Sequence, residues 1–314
     1  MADTTMRAVQ FDGPGGPEVL RIRDVPIPAP TSGQVLVRVH AASVNPADVA
    51  SRRTRLGRFP RGTGMDYAGE VAEVGPGATD LRPGQRVWGY LGTHGHETGA
   101  AADYLLARRE QVAAAPASVD SVSAAALPTV GTTALEALRD KLRLRSGQRL
   151  LVVGASGGVG GTAVQLGRAM GASVTAVASA RNADLCRELG ADRVIDYAST
   201  GADASGREFD ALLDCHGAAL RRYRRLLLPG GRAATIAVKA FPYALWSRLL
   251  PGPGVRVVIS RPRRSDMEAL AGHVDRGELR PVVERVYPLV EVQEAHRAVE
   301  TGHARGKRVL DLRR

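Results

Sequence analysis

From residue 150 onward the chain alternates short apolar runs with stretches whose apolar positions recur every three or four residues. The runs cover 150–153, 173–178, 193–195, 210–213, 232–237 and 255–260, and the helical stretches between them include 160–170, 181–189 and 217–227. Short apolar runs bounded by turn residues mark strands buried on both faces, and their alternation with helices predicts a parallel, doubly wound α/β sheet. The N-terminal third has a different rhythm. Met6–Phe11, Glu18–Arg23 and Gln34–His40 read as short strands, the last alternating with period two, and Pro26, Pro28 and Pro30 separate the second from the third. Ala41–Arg53 reads as a turn leading into a short helix with Pro46 in its first turn. Strand character returns in 64–75, 81–89 and 101–107, so many short strands with Gly/Pro turns predict a β-barrel-like domain.

Ser121–Ala126 and Thr132–Asp140 read as helices separated by Pro128 and Gly131. After Ser260 the pattern gives a helix at Asp266–Asp275, a strand at Val282–Tyr287, a helix at Val292–Thr301 and a last strand at Arg308–Leu312. These closing strands are expected to return to the barrel. The expected division is 1–122 with 266–314 in one domain and 123–265 in the other.

Composition narrows the class. The chain has 314 residues, 44% of them apolar, with 36 glycines and 18 prolines but no low-complexity run. No apolar run approaches the ~20 residues that span a bilayer, and the N-terminus carries no apolar leader core, so neither a membrane partner nor secretion is expected. Two cysteines, Cys186 and Cys215, fit a reducing cytoplasm better than a disulfide scaffold. The formal charge is +11. It is carried by scattered arginines, with lysine only at 141, 239 and 307, and aromatics are 4%, so stacking platforms for nucleic acid are scarce and no nucleic-acid partner is expected.

The candidate chemistry starts at Leu150-Leu-Val-Val-Gly-Ala-Ser-Gly-Gly-Val-Gly160. Strand, glycine turn and helix together place a diphosphate on a helix N-terminus. Bare backbone lets the ligand approach, and unpaired N–H groups with the helix dipole favour negative charge. The contacts are expected around Ser156, Gly157, Gly158 and Val159. An NAD site ends the next strand in Asp or Glu to bind the ribose hydroxyls. Here 173–178 is followed by Ser179-Ala-Arg181, with no carboxylate. A carboxylate repels a 2′-phosphate, whereas Arg181 attracts it and bonds it bidentately, with Ser179 as a further donor, so the expected cofactor is NADPH. The competing reading of Arg181 is a solvated first-turn residue of the next helix.

The ordered set Ala41-Ala-Ser-Val-Asn-Pro-Ala-Asp48, Gly64-Met-Asp-Tyr-Ala-Gly-Glu-Val71, Leu81-Arg-Pro-Gly-Gln-Arg-Val87, Leu127-Pro-Thr-Val-Gly-Thr-Thr-Ala134, the glycine turn, Leu228-Pro-Gly-Gly-Arg232 and Arg305-Gly-Lys-Arg-Val-Leu310 resembles the zinc-independent quinone oxidoreductase (zeta-crystallin-like) branch of the medium-chain dehydrogenases/reductases. The resemblance implies a GroES-like β-barrel catalytic domain plus a Rossmann domain, an active site in the cleft between them, and a homodimer through 255–260. It implies that Tyr197 reaches the same phosphate as Arg181. It also implies that the nicotinamide lies over Thr129–Thr133 and beneath Ile236–Val238, and that Asn45 and Lys307 contact the cofactor. Asn45 and Asp48 match family residues near the nicotinamide, with Asn45 expected to hold a developing oxyanion or the cofactor and Asp48 to orient it or relay a proton; the competing readings are a helix-terminus residue for Asp48 and a surface lysine beside the last strand for Lys307.

Zinc-dependent relatives need Cys, His or acidic ligands around an open tetrahedral site. Here the first ligand position reads Asn45-Pro-Ala-Asp48, no cysteine precedes Cys186, and His94-Gly-His96-Glu97 reads as a polar loop, so no metal is expected. The chain departs from bacterial quinone reductases at 50–56, where tyrosines are replaced by Ala50-Ser-Arg-Arg-Thr-Arg-Leu56. An Arg52–Arg55 lip facing an anionic substrate is one reading of that stretch, and solvated arginines the other. Tyr67, His94 and His96 remain as candidate proton donors, Tyr67 alternatively packing in the barrel. Asp66 is read as a support for turn geometry.

The expected function is hydride transfer from NADPH to a quinone or to the activated C=C of an enone, a small-molecule substrate. An enoyl reductase of a polyketide or secondary-metabolite pathway is one alternative. Others are a non-catalytic NADPH-binding sensor or structural protein, and an NADPH-binding protein that also binds RNA.

Overall fold

The computed structural model describes residues 4–55, 58–78, 80–92, 98–198, 206–302 and 304–314. The chain divides into two units, 1–129 with 261–314, and 130–260. The boundaries therefore fall at 129/130 and 260/261, against the expected 122/123 and 265/266.

The discontinuous unit is built on strands. Its elements are β1 (Thr5–Phe11), β2 (Arg21–Pro26), β3 (Gln34–Val44), α1 (Pro46–Arg53), β4 (Arg61–Gly62), β5 (Asp66–Val74), β6 (Arg86–Tyr90), β7 (Tyr104–Arg108), β8 (Val112–Ala114), α2 (Ser121–Ala125), the start of α3 (Pro128–Glu136) and, after the other unit, α8 (Arg264–Asp275), β15 (Val283–Pro288), α9 (Val292–Glu300) and β16 (Lys307–Asp311). β2, β1 and β4 form a small antiparallel sheet. A larger sheet runs β15-β16-β3-β5-β6-β8, with β7 also pairing β3. The returning C-terminal strands take their place there: β16 lies antiparallel to β3, with Val309 opposite Ser43 and Arg308 opposite Val44. Val35, Val37, Val71, Val87, Leu105 and Leu310 are among the residues of its buried core.

Three expectations change in this unit. Glu18–Arg23 is not one strand: Pro17 fixes its own φ and opens a 3₁₀ turn, Pro17–Val19, so pairing begins at Arg21. β3 runs to Val44, because register irregularities at Leu36/Val37 and Val39/Ala41 interrupt the period-two pattern and hide its continuation. Pro128 begins α3 instead of dividing two helices, since a first-turn residue has no intrahelical use for the N–H that proline lacks.

The continuous unit is a parallel sheet of order β11-β10-β9-β12-β13-β14. Its strands are β9 (Arg149–Val153), β10 (Ser173–Ala178), β11 (Arg193–Asp196), β12 (Phe209–Asp214), β13 (Leu227–Thr235) and β14 (Val255–Val257), linked by α4 (Gly158–Ala169), α5 (Ala183–Glu188), α6 (Leu220–Arg224) and α7 (Phe241–Trp246). Leu150, Leu151, Val152 and Val153 are all buried, as a strand covered on both faces requires. β13 starts five residues earlier than its apolar run, and β14 ends at Val257, short of the expected 260.

The β9–α4 turn depends on close backbone approach. Gly154 has φ +78°, and a Cβ on Gly160 would stand 2.1 Å from the Gly154 carbonyl oxygen. A Cβ on Gly157 would meet nothing nearer than that oxygen at 3.5 Å. Gly160→Ala is therefore expected to destabilise the protein by about 1–3 kcal/mol through overpacking. Gly157→Ala should leave the unfolding midpoint nearly unchanged; thermal denaturation of the two variants side by side checks the contrast.

Candidate functional site

In the strand-rich unit the candidate residues gather on one carboxylate. Asp66, the first residue of β5, is fully buried. Its Oδ2 accepts from Ser43 Oγ at 2.7 Å, from Asn45 Nδ2 at 2.9 Å and from Lys307 Nζ at 3.4 Å. Its Oδ1 accepts from the Thr129 N–H at 2.9 Å and from the Thr129 hydroxyl. The donors come from β3, the start of α1, the first turn of α3 and β16, so one side chain ties four elements together. Register puts them there, since Ser43 lies directly opposite Asp66 across the β3–β5 ladder.

Asn45 is the N-cap of α1. Its backbone N–H donates to Asp48 Oδ2 at 2.7 Å, while its side chain is turned to Asp66 and to Lys307, whose Nζ donates to Asn45 Oδ1. Lys307 Nζ also donates to the Val44 carbonyl at 3.3 Å. Asp48 and Lys307 are both buried. Burial pushes the Asp48 carboxyl up to about 7, with the Asp66 charge adding to the rise and the Asn45 N–H and Lys307 opposing it. Burial pulls the Lys307 ammonium down from its ordinary value, and Asp66 and Asp48 oppose that. Asp66, read as a turn support, is thus the residue that the sequence undervalued. The available signal was the order of Asn45, Asp66, Thr129 and Lys307 in four separate motifs, which spacing alone cannot bring together.

Two readings are corrected here. Tyr67 is not a proton donor: it is fully buried among the barrel residues and its hydroxyl donates to the Gln111 carbonyl at 2.9 Å. Burial raises its pKa, which holds the phenol proton still more firmly. Arg52 is not part of an exposed lip: it is fully buried, donating to the Gly15 carbonyl at 2.7 Å and paired with Glu300 of α9. Arg53 also reaches Glu300, at 3.0 Å, and of this stretch Arg53 and Arg55 are exposed. His94, His96, Glu97 and Leu56 lie outside the described residues.

In the parallel-sheet unit, Gly157 is the N-cap of α4, and Gly158 and Val159 are its first residues. The Gly157 N–H donates to the Gly154 carbonyl at 3.2 Å, whereas those of Gly158 and Val159 precede the first intrahelical bond, which Gly161 makes to the Gly157 carbonyl at 2.7 Å. Ser156 Oγ accepts from the buried Asn182 Nδ2 at 3.0 Å, which anchors the turn to the segment after β10. In that segment Ser179 is the N-cap of a 3₁₀ turn, Ala180–Asn182, and Arg181 is exposed. Tyr197, just past β11, is half exposed. Ile236 follows β13 and is partly buried, whereas Val238 is exposed. The buried Asp214 at the end of β12 accepts from the His216 and Gly217 N–H groups and from Thr235 Oγ1, which fixes the two strand ends next to Ile236. Thr133 is buried in α3, and the Thr129 hydroxyl is committed to Asp66. The bare helix N-terminus and the clear space at Gly157 fit a dinucleotide diphosphate.

A zinc ion does not fit the described residues around Asp66. The groups around Asp66 are hydroxyls, an amide and an ammonium, without the thiolate or imidazole that zinc selects. Among the described residues no three His, Cys, Asp or Glu side chains gather as a metal site.

Comparison with known proteins places this geometry. Residues 31–117 match the alcohol dehydrogenase GroES-like domain, and residues 189–310 match the zinc-binding dehydrogenase family. The chloroplast envelope quinone oxidoreductase homolog of Arabidopsis thaliana is 31% identical, over 99% of this chain and 100% of that protein. The mitochondrial NAD(P)H oxidoreductase RTN4IP1 of Homo sapiens is 33% identical over 98% and 90% of the two chains. The trans-enoyl reductase pgmF of Aspergillus terreus is 33% identical over 89% and 86%. Among solved structures, the quinone oxidoreductase from Coxiella burnetii superposes with a TM-score of 0.89 at 30% identity, covering 98% of this chain and 99% of that one. With its Rossmann-type parallel sheet and GroES-like unit, the chain belongs to the zinc-independent quinone oxidoreductase family of the medium-chain dehydrogenases/reductases.

Proposed function

We propose that the protein is an NADPH-dependent reductase of quinones or of the activated C=C bond of enones. The observation that carries the cofactor choice is the end of β10: Ser179, Ala180 and Arg181 stand where an NAD site places a carboxylate, and Arg181 is exposed. An exposed guanidinium is available to a 2′-phosphate, and Ser179 and Tyr197 add hydroxyls. Gly158 and Val159 hold the diphosphate through backbone N–H groups, and Gly157, whose own N–H donates to the Gly154 carbonyl, leaves the space for it. Thr133, Ile236 and Val238 are proposed as cofactor contacts in the parallel-sheet unit and Asn45 and Lys307 in the strand-rich unit, where Thr129 is held by Asp66.

Bound NADPH supplies a hydride. The chain's own residues bind and orient, and they work around a buried ammonium and two buried carboxyl groups. Conjugation already makes a quinone or enone electrophilic, so a positioned cation and hydrogen bonds suffice to stabilise charge developing on its oxygen. The similarity to a trans-enoyl reductase and the absence of phenols from 50–55 favour C=C acceptors within this class.

We also propose a homodimer through β14. That strand is at one end of the six-stranded sheet, and Trp246, Leu249 and Ile259 near it are exposed at 65%, 80% and 70%.

Purified protein should oxidise NADPH in the presence of 1,4-benzoquinone or a simple enone; no turnover across a broad acceptor panel would remove the reductase reading. Arg181→Ala should raise KM for NADPH about tenfold or more, equivalent to ~1.4 kcal/mol, while KM for NADH stays nearly constant; equal changes would remove Arg181 from the phosphate site. Gly157→Val should remain folded and lose nucleotide binding, as read by nucleotide fluorescence. Light scattering should give twice the 33.2 kDa chain mass, with Trp246→Glu shifting it toward the monomer.

A further inference from the structure

Asn182 occupies the N-cap position of α5 but does not cap it. Asparagine is among the residues most favoured there, because its side-chain oxygen accepts from the free N–H groups of the first turn. Here the side chain forgoes that local bond. It donates instead from Nδ2 to Ser156 Oγ, 26 residues earlier in the chain, at 3.0 Å. Asn182 is only 5% exposed, so an amide N–H that lost this bond would stay unpaired in the interior. The direction of the bond decides what Ser156 has left. A serine hydroxyl carries one proton and two lone pairs, whereas an amide nitrogen has only protons to give. Ser156 therefore accepts, and its own proton remains to be donated. Among the described residues that proton goes to no partner, and neither do the N–H groups of Gly158 and Val159. Arg181, the residue before Asn182, is exposed and has no ion pair among the described residues.

Asn182 thus joins two sets of unspent donors, both within the parallel-sheet unit. One set is the β9–α4 turn, with Ser156, Gly158 and Val159. The other is the 3₁₀ segment Ala180–Asn182, which carries Arg181 and is closed by the Asn182 N–H on the Ser179 carbonyl at 2.9 Å. The bases of the two turns are already tied by backbone, since the Gly154 and Ala155 N–H groups donate to the Val177 carbonyl of β10 at 3.0 and 3.1 Å. The Asn182–Ser156 bond adds a side-chain tie beyond them. We propose that Asn182 is a positioning residue for the cofactor: it leaves the Ser156 hydroxyl as a donor for the diphosphate and couples that turn to the 2′-phosphate segment, so that the preference for NADPH belongs to both turns and not to Arg181 alone. This rests on the NADPH reading above. With the tie intact, a 2′-phosphate that fixes Arg181 also fixes its chain neighbour Asn182, and through it Ser156. Without the tie, each turn is ordered separately. Coupling of this kind is read as non-additive losses when the coupled groups are removed one by one and together.

Asn182→Ser separates positioning from stability. The shorter side chain does not reach Ser156, yet serine is itself a favoured N-cap for α5, so the unfolding midpoint should stay close to that of the unsubstituted protein. Dissociation constants for NADPH and NADH, read by nucleotide fluorescence, should show the preference for NADPH falling about threefold or more in Asn182→Ser, although Arg181 is untouched. Ser156→Ala and Arg181→Ala should each weaken NADPH binding, and the double variant should lose about threefold less than the product of the two separate losses. In the Asn182→Ser background the same two losses should multiply. An unchanged nucleotide preference in Asn182→Ser would overturn the proposal, as would losses that multiply in both backgrounds. Should Asn182→Ser fail to fold, the cycle of Ser156→Ala and Arg181→Ala with Asn182 in place decides alone, multiplicative losses counting against the coupling. Failure of the NADPH reading shows itself differently, as equal losses of NADPH and NADH in Arg181→Ala, and takes the proposal with it.

Discussion

A single buried charge organises the strand-rich unit. An isolated carboxylate in a protein interior is unfavourable by several kcal/mol, so Asp66 is tolerable only with its donors in place. Ser43, Asn45, Thr129 and Lys307 supply hydroxyl, amide, backbone and ammonium donors. Each is therefore constrained twice, by its own element and by the need of the shared acceptor. Removing Lys307 leaves an uncompensated buried charge, which costs about 3–5 kcal/mol when a buried ion pair is broken. The arrangement also explains why β3 must run on to Val44: a strand ending at His40 would leave Ser43 and Asn45 without a fixed register against β5.

The parallel-sheet unit solves a different problem with different means. It presents backbone, not side chains, to the expected diphosphate, so its requirement is the absence of Cβ atoms and a helix that begins at the right residue. Gly160 lets α4 close on the β9 turn, Gly154 takes the left-handed conformation, and the Asn182–Ser156 bond holds the turn against β10. Asp214 does for the ends of β12 and β13 what Asp66 does in the other unit, but with backbone N–H groups and one threonine as its donors.

These two kinds of construction determine what could be read in advance. The glycine turn, β9, β10 and α4 were legible because their information is local: an apolar run, a turn and a helical period within about twenty residues of one another. Asp66 was not, because its importance lies in contacts with residues 43, 45, 129 and 307, and nothing in Met65-Asp-Tyr67 announces them. Arg52 misled for the same reason. Three arginines in four residues read as a solvated surface, and only the fold brings Glu300 and the Gly15 carbonyl to one of them. Tyr67 shows the reverse error, since a polar group beside a motif attracts a chemical reading that burial removes.

The position of β16 has a consequence for how the protein is made. Among the described strands it is synthesised last, yet it sits inside the larger sheet, between β15 and β3. Until residues 283–311 emerge, β3 presents an unpaired edge at Ala41–Val44, three of whose four residues are apolar, and Asp66 lacks its cation. An edge of that kind is a template for pairing with another chain. The continuous unit has no such dependence, because every strand of its sheet lies between residues 149 and 257. Biosynthesis thus passes through a stage in which the later-begun unit has all the strands of its sheet while the earlier-begun unit still lacks β16.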